Sequence, residues 1–309
     1  MDRNRKILIS ILALLALSAI IAIIDVSLKI QKSGNNISLR MPSVGPGIAV
    51  VRVDGPIQFE SSGPLAKGAE SIINKLDEFS KNPNVKAIVL RINSPGGTVA
   101  ATQEIYEKLW SLRKKNKILV ASMADVAASG GYYIASACDT IYANYGTITG
   151  SIGVITVSAN FKKLLERFGI TVTVVKSGKY KDIMSPYRNS NRDEIRMIQE
   201  MIDSDYKKFL KDVARGRSMN QKEIEPYADG RIFNGAQAKK YKLIDSVGTF
   251  KDAIEFARKK AKLPEGCPVY EKNETSFGEF LRSIPGMFKN QNKLPVNLNY
   301  RTGLEYRYM

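Results

Sequence analysis

Val85-Lys86-Ala87-Ile88-Val89-Leu90-Arg91-Ile92 runs directly into Asn93-Ser94-Pro95-Gly96-Gly97, so a β-branched apolar run stops at a pair of glycines. A helical pattern follows at once, because residues 98–114 carry Ile105, Leu109 and Leu112 at helical spacing. The same succession then recurs. Residues 118–122 are strand-like and lead to Ala128-Ser129-Gly130-Gly131, which opens another helical stretch. Short apolar strands alternating with helices predict an α/β fold, with parallel strands joined by helical crossovers. Ligand sites in such folds gather at the carboxyl ends of strands, and both glycine turns fall there.

Working outward, residues 47–53 read as a strand and 64–79 as a helix, and the alternation continues through 140–143, 152–157, 161–168 and 171–175. The clearest helix covers 192–215. It has Ile195, Ile198, Ile202, Tyr206, Phe209 and Val213 along one face, and Asn191 and Glu194 are placed as a capping box. That stripe is read as core packing or an oligomer contact. A later helix over 249–262 shows Phe250, Ile254, Ala257 and Ala261 on one side, and beyond Gly266 the pattern dissolves into a basic, Asn-rich tail.

The chain has no histidine, which excludes Ser-His-Asp and Cys-His catalysis and histidine-based zinc sites. Lysine is the remaining common base. A strand-to-helix turn that begins with serine presents a hydroxyl beside unpaired N–H groups, where a developing oxyanion can be held, and a second glycine turn can supply the other donor. Serine before paired glycines is also a common helix start, and its hydroxyl can simply cap the helix. Lys176-Ser177-Gly178-Lys179-Tyr180-Lys181 offers three candidate bases, and spacing alone does not choose among them. An ordinary lysine is neutral in only about one molecule in 2,500 at pH 7. A lysine base therefore needs a dry pocket or neighbouring positive charge.

At 309 residues the chain can bury a substantial core, and its 47 basic against 30 acidic side chains give a formal charge of +17. The basic residues are spread along the chain without a zinc-knuckle, RNP-like or helix-turn-helix pattern, so a solvated basic surface near anionic lipid is favoured over nucleic acid. Cys138 and Cys267 form neither a CxxC pair nor a metal-ligand spacing, and Cys138 reads as a buried small hydrophobe. Arg3, Arg5 and Lys6 precede an unbroken apolar run over residues 7–24. At about 27 Å as a helix, that run just spans a bilayer. The flanking charge predicts a signal anchor with its amino terminus inside and the rest exported, in preference to a cleaved signal peptide. The expected organisation is a basic end and transmembrane helix over 1–29, a linker over 30–46, a catalytic domain over 47–265 and a basic tail over 266–309.

Several motifs in order carry a specific resemblance. They are Arg91-Ile-Asn-Ser-Pro-Gly-Gly97, Ala128-Ser-Gly-Gly-Tyr-Tyr133, Thr149-Gly-Ser-Ile-Gly-Val154 and Lys179-Tyr-Lys-Asp-Ile-Met-Ser-Pro186. Over most of residues 47–262 the chain resembles the bacterial signal peptide peptidase A family, in its short form. The resemblance implies a ClpP/crotonase-like fold of repeated β-β-α units and a serine-lysine dyad, with Ser129 as nucleophile and Lys181 as general base. It also implies an oxyanion hole from the amides of Gly97 and Gly130, and a homo-oligomer whose neighbouring subunits complete the substrate groove. The implied substrates are remnant signal peptides, with no metal or organic cofactor. Ser151, in a glycine-flanked turn, is the rival nucleophile; it is read either as a hydroxyl that orients the lysine or as a plain turn serine. Asp182 is assigned no catalytic role. A crotonase-like acyl-CoA enzyme and an inactive peptide-binding scaffold are the competing functions. Leu304, Tyr306 and Tyr308 alternate near the end of the chain, so the tail reads either as a basic segment touching lipid or cell wall or as a strand lying in a peptide groove.

Overall fold

The computed structural model describes residues 45–59, 68–271 and the backbone of 305–307. The apolar run over 7–24 and most of the tail lie outside those residues. Among the described residues no helix is long and apolar enough to cross a membrane.

The strands are β1 (Gly47–Asp54), β2 (Val85–Ser94), β3 (Gly96–Thr98), β4 (Ile118–Ala128), β5 (Thr140–Ala143), β6 (Ile148–Gly150), β7 (Ile232–Phe233), β8 (Ser246–Val247), β9 (Val269–Glu271) and β10 (Glu305–Arg307). The helices are α1 (Ala69–Lys81), α2 (Val99–Lys114), α3 (Gly130–Ser136), α4 (Lys162–Arg167), α5 (Arg192–Arg217), α6 (Gln221–Ile224), α7 (Gly235–Lys240) and α8 (Phe250–Lys260). One sheet runs in the order β7-β6-β4-β2-β1-β9, with β5 and β8 branching from β4. All its pairings are parallel except β6 with β7. The predicted parallel α/β arrangement is therefore present. β4 serves two neighbours, pairing β5 through Val120–Met123 and β6 through Val126–Ala128.

Both faces of the sheet are covered, which explains why β1 and β2 carry unbroken apolar runs, Ile48 to Val51 and Ala87 to Leu90, rather than alternating along their whole length. Ala49, Val51, Val53, Ile88, Leu90 and Ile92 join the larger core with Leu76 of α1 and Ile105 and Leu109 of α2. Ile48, Val50, Ala87, Val89 and Val120 face the other way, onto Ala253 and Ala257 of α8. Thr249 and Asp252 form a capping box at the start of that helix. Cys138 is buried and Cys267 half-buried, both as free thiols, and burial raises the Cys138 thiol pKa.

Two expected strands are not formed. Residues 152–157 make no strand, because Gly150 and Ser151 both take positive φ (83° and 50°) and the Ser151 N–H is drawn to the Arg231 carbonyl at 2.8 Å. The chain thus turns out of the ladder after β6. Residues 171–175 have strand composition but form no strand, and Val175 is 94% exposed. α5 is capped as expected by Asn191 and Glu194, yet its stripe divides. Phe209 and Val213 are fully buried, while Ile195 is 60% exposed and Met197 and Met201 also face outward.

Deleting side-chain volume from the sheet should cost what a buried leucine usually costs. Leu90→Ala is expected to lower the unfolding free energy by about 2–5 kcal/mol, read from urea denaturation, whereas Ile195→Ala on the exposed end of α5 should change it by no more than about 0.5 kcal/mol.

Candidate active site

β2 ends in the first glycine turn. Ser94, fully buried, accepts a hydrogen bond from the Gly96 N–H at 3.2 Å, and Asn93 Oδ1 accepts one from the Val126 N–H at 3.2 Å, so the turn is tied to its own strand and to β4. Gly97 lies flat against residue 57. The Ile57 N–H donates to the Gly96 carbonyl at 2.8 Å, and the Thr98 N–H donates to the Ile57 carbonyl at 2.9 Å. Successive backbone groups of a strand point to opposite edges, so the Gly97 N–H faces away from Ile57. A Cβ on residue 97 would stand 1.8 Å from the Ile57 carbonyl oxygen, which only glycine avoids.

The edge toward which the Gly97 N–H points is the edge β10 occupies. β10 pairs antiparallel with β3, with Tyr306 opposite Gly97. Residues 305–307 thus form a strand against the first glycine turn.

The second turn meets the first. Ser129 takes φ 53° and ψ −116°, outside the regions ordinarily open to a residue with a side chain. It is held there by its N–H on the Gly150 carbonyl at 2.8 Å, at the β4–β6 junction. Only 1% exposed, its Oγ has no hydrogen-bond partner and does not cap α3. The capping interpretation of this serine therefore fails. A Cβ on Gly130 would meet Thr102 Oγ1 at 2.8 Å, and Gly96 Cα and Gly97 N at 3.2 Å each. Ser129, Gly130 and Gly97 are thus brought together, and Ser151 is adjacent through Gly150.

Lys181 is not part of that cluster within one chain. It is exposed, and the unpartnered Ser129 Oγ shows that no hydrogen bond joins the two side chains. Lys181 sits on an arm between β6 and α5 that is anchored by charge. The Arg188 guanidinium donates to both Asp182 carboxylate oxygens, at 2.7 and 2.8 Å, and to the Asp182 carbonyl at 3.0 Å. It also reaches the Glu194 carboxylate, at 2.9 Å from Nη1 to Oε2. The Glu194 side chain is only 2% exposed and accepts the Asn191 N–H at 2.9 Å in the capping box of α5. Lys176 Nζ completes the group by bonding Asp182 and the Lys179 carbonyl. Asp182 is therefore occupied by Arg188 and Lys176, and the positive charge of Lys176 is neutralised there.

The bonds from Arg188 and then from Asn191 lower the Glu194 carboxyl pKa from 4.5 to about 2, and Arg188 followed by Lys176 pushes the Asp182 carboxyl further below its ordinary value. Carboxyls depressed in the folded state stabilise it above their unfolded pKa and lose that contribution as the pH falls through the folded one. Proteolytic susceptibility of the arm should accordingly rise as the pH is lowered from about 4.5 toward 2. In Glu194→Gln that acid step should shrink.

Comparison with known proteins fits this geometry. A family model described as Peptidase family S49 matches residues 111–264, and one described as Clp protease matches 61–142. The Synechocystis protein named "Putative protease slr0021" is 44% identical over 200 residues, which cover 65% of this chain and 72% of its own length. The chain belongs to peptidase family S49. This S49 serine peptidase is also 37% identical over 207 residues to the Enterococcus faecium protein named "Putative signal peptide peptidase SppA", covering 67% of this chain and 60% of that one. To Protease 4 of Salmonella typhi it is 35% identical over 238 residues, covering 77% of this chain but only 38% of the longer relative.

Sequence reading missed two members of the S49 peptidase's site region. Thr102 is one helical turn into α2 and gave no signal beyond its hydroxyl. Arg188, six residues from each of Asp182 and Glu194, was hidden among many basic residues.

Proposed function

We propose that this S49 peptidase cleaves unfolded apolar peptides, remnant signal peptides among them, with Ser129 as nucleophile, Lys181 as general base and the Gly97 and Gly130 amides as oxyanion donors. The observation that carries the reading is the convergence on one point of two glycine backbones and a buried, strained serine whose hydroxyl has no partner. The lysine amine takes the Ser129 proton as Oγ attacks the peptide carbonyl. The resulting oxyanion is held by the two amides, the ammonium returns its proton to the leaving amine, and water then releases the acyl group from Ser129.

An exposed Lys181 and a buried, unpaired Ser129 support a base that comes from a second copy of the chain. The arm that would deliver it is unusually apolar for a free surface: Val157, Leu164, Phe168, Ile170, Val174 and Val175 are all exposed, next to the exposed end of the α5 stripe. A homo-oligomer would cover those residues and dry the amine, with Ser151 beside Ser129 as the hydroxyl that orients it. The 7–24 run would anchor each subunit in the bacterial cell membrane, amino terminus inside, and hold the catalytic domain at the extracytoplasmic face where apolar peptides emerge. Substrate would bind as an extended strand on β3, the antiparallel mode that β10 adopts.

A fluorophosphonate probe should label the protein and fail to label Ser129→Ala. Mixing Ser129→Ala with Lys181→Ala subunits, each inactive alone, should restore roughly a quarter of wild-type peptide cleavage if each site draws on two subunits. No recovery after dissociation and reassembly would place both residues in one chain. Removing residues 290–309 should raise kcat/KM for a short peptide by vacating the β3 edge, measured at equal subunit concentration.

A further inference from the structure

Beside Ser129 Oγ, a second hydroxyl at the glycine junction is buried and without a partner: Thr102 Oγ1. Thr102 is fully buried in α2. A threonine inside a helix ordinarily satisfies its hydroxyl on a carbonyl of the preceding turn, and this one does not. Leaving a buried hydroxyl unpaired is unfavourable, so the position asks for a partner that arrives later.

Its location says which partner. Thr102 Oγ1 is the heavy atom nearest to where a Cβ on Gly130 would stand, at 2.8 Å, and Gly97 N is 3.2 Å from the same point. The hydroxyl and the Gly97 amide thus flank Gly130 together. The Gly97 N–H is turned away from Ile57, whose own bonds go to Gly96 and Thr98. A hydroxyl carries one donor and rotates freely to aim it, so Thr102 needs no backbone movement to serve an oxygen placed between the two glycines.

We propose that Thr102 is a third polar member of the oxyanion pocket, donating its O–H to the oxygen held by Gly97 and Gly130 as the substrate carbonyl becomes tetrahedral. The threonine keeps its proton throughout and forms no covalent bond. This rests on the peptidase reading of Ser129.

The test compares Thr102→Val, which keeps the shape and removes the hydroxyl, with Thr102→Ser, which keeps the hydroxyl. Peptide cleavage is measured together with inhibition by a peptide aldehyde, whose adduct with serine places a tetrahedral oxygen in the pocket. Thr102→Val should lower kcat by roughly ten- to a hundredfold, at or below the effect of losing a principal oxyanion donor. KM should move less than about threefold. Aldehyde affinity should fall in parallel with kcat, and Thr102→Ser should recover most of both. Thermal melting of the free Thr102→Val protein should not drop, since no hydrogen bond is lost. If that variant does not fold, Thr102→Ala read against Thr102→Ser answers the same question. Wild-type kcat and aldehyde affinity in Thr102→Val, or equal losses in the valine and serine variants, would overturn the proposal. Full cleavage by Ser129→Ala would overturn the peptidase reading and this proposal with it. An inactive Ser129→Ala beside a fully active Thr102→Val would remove only the role of Thr102.

Discussion

The constraint on which the molecule depends is the contact between two turns with no side chain between them. β2 and β4 are neighbours in the sheet, and each ends in a glycine pair. Their backbones approach so closely that a Cβ on Gly130 would stand 3.2 Å from both Gly96 Cα and Gly97 N, tighter than side chains ordinarily pack. That approach sets the Gly97 amide beside Gly130, the residue that follows the buried Ser129. It also requires Ser129 to keep a left-handed backbone, held by its bond to Gly150 on β6. Three adjacent strands therefore fix the geometry of one oxygen atom, and the covered faces of the sheet fix the strands.

α5 connects this rigid centre to the arm that carries Lys181. At its amino end, Glu194 both closes the capping box with Asn191 and accepts from Arg188, so the arm is bound to the helix start. Toward its carboxyl end, Asp212 accepts the Tyr133 hydroxyl of α3, and Gly216 lies against the Ser136 carbonyl, where a Cβ would come within 2.0 Å. Tyr106 of α2 donates to the Asp212 carbonyl at 3.0 Å. One helix thus spans from the arm to the short helix that follows Ser129. The four side chains that anchor the arm, Lys176, Asp182, Arg188 and Glu194, sum to zero charge. Lys181 lies beside them in the chain and is exposed.

The sheet was legible because its physics is local. A strand covered on both faces carries an unbroken apolar run at its centre, and residues 87–90 announce that directly. The capping boxes at Asn191 and Thr249 were equally readable, since a side chain three residues from its partner is a short-range pattern. Where the pattern misled, a longer-range competitor had won. Residues 152–157 look like a strand, but the turn at Gly150 and Ser151 and the pull of the Arg231 carbonyl direct them elsewhere. Residues 171–175 have strand composition but are exposed and unpaired among the described residues, which composition cannot report. In the site, Ser129, Gly97 and Gly130 could be picked out because glycine marks backbone positions that nothing else can occupy. Thr102 could not, because its significance comes from an atom 28 residues away. The exposure of Lys181 and the absence of a hydrogen bond between it and Ser129 were equally invisible, since spacing along the chain does not report which side chains meet.

The two glycines differ in what confines them, and this bears on how the protein can vary. At position 130 the closest obstacle is the Thr102 hydroxyl, which a smaller residue would withdraw, but Gly96 Cα and Gly97 N stand just behind it. At position 97 the obstacle is the carbonyl of residue 57, an atom that every amino acid contributes alike. No compensating replacement at a second position can trim a main-chain oxygen. Drift at position 97 is therefore barred by the polymer itself, and it would remain barred in any lineage that kept the main chain of residue 57 laid against this turn, whatever happened to the substrate it serves.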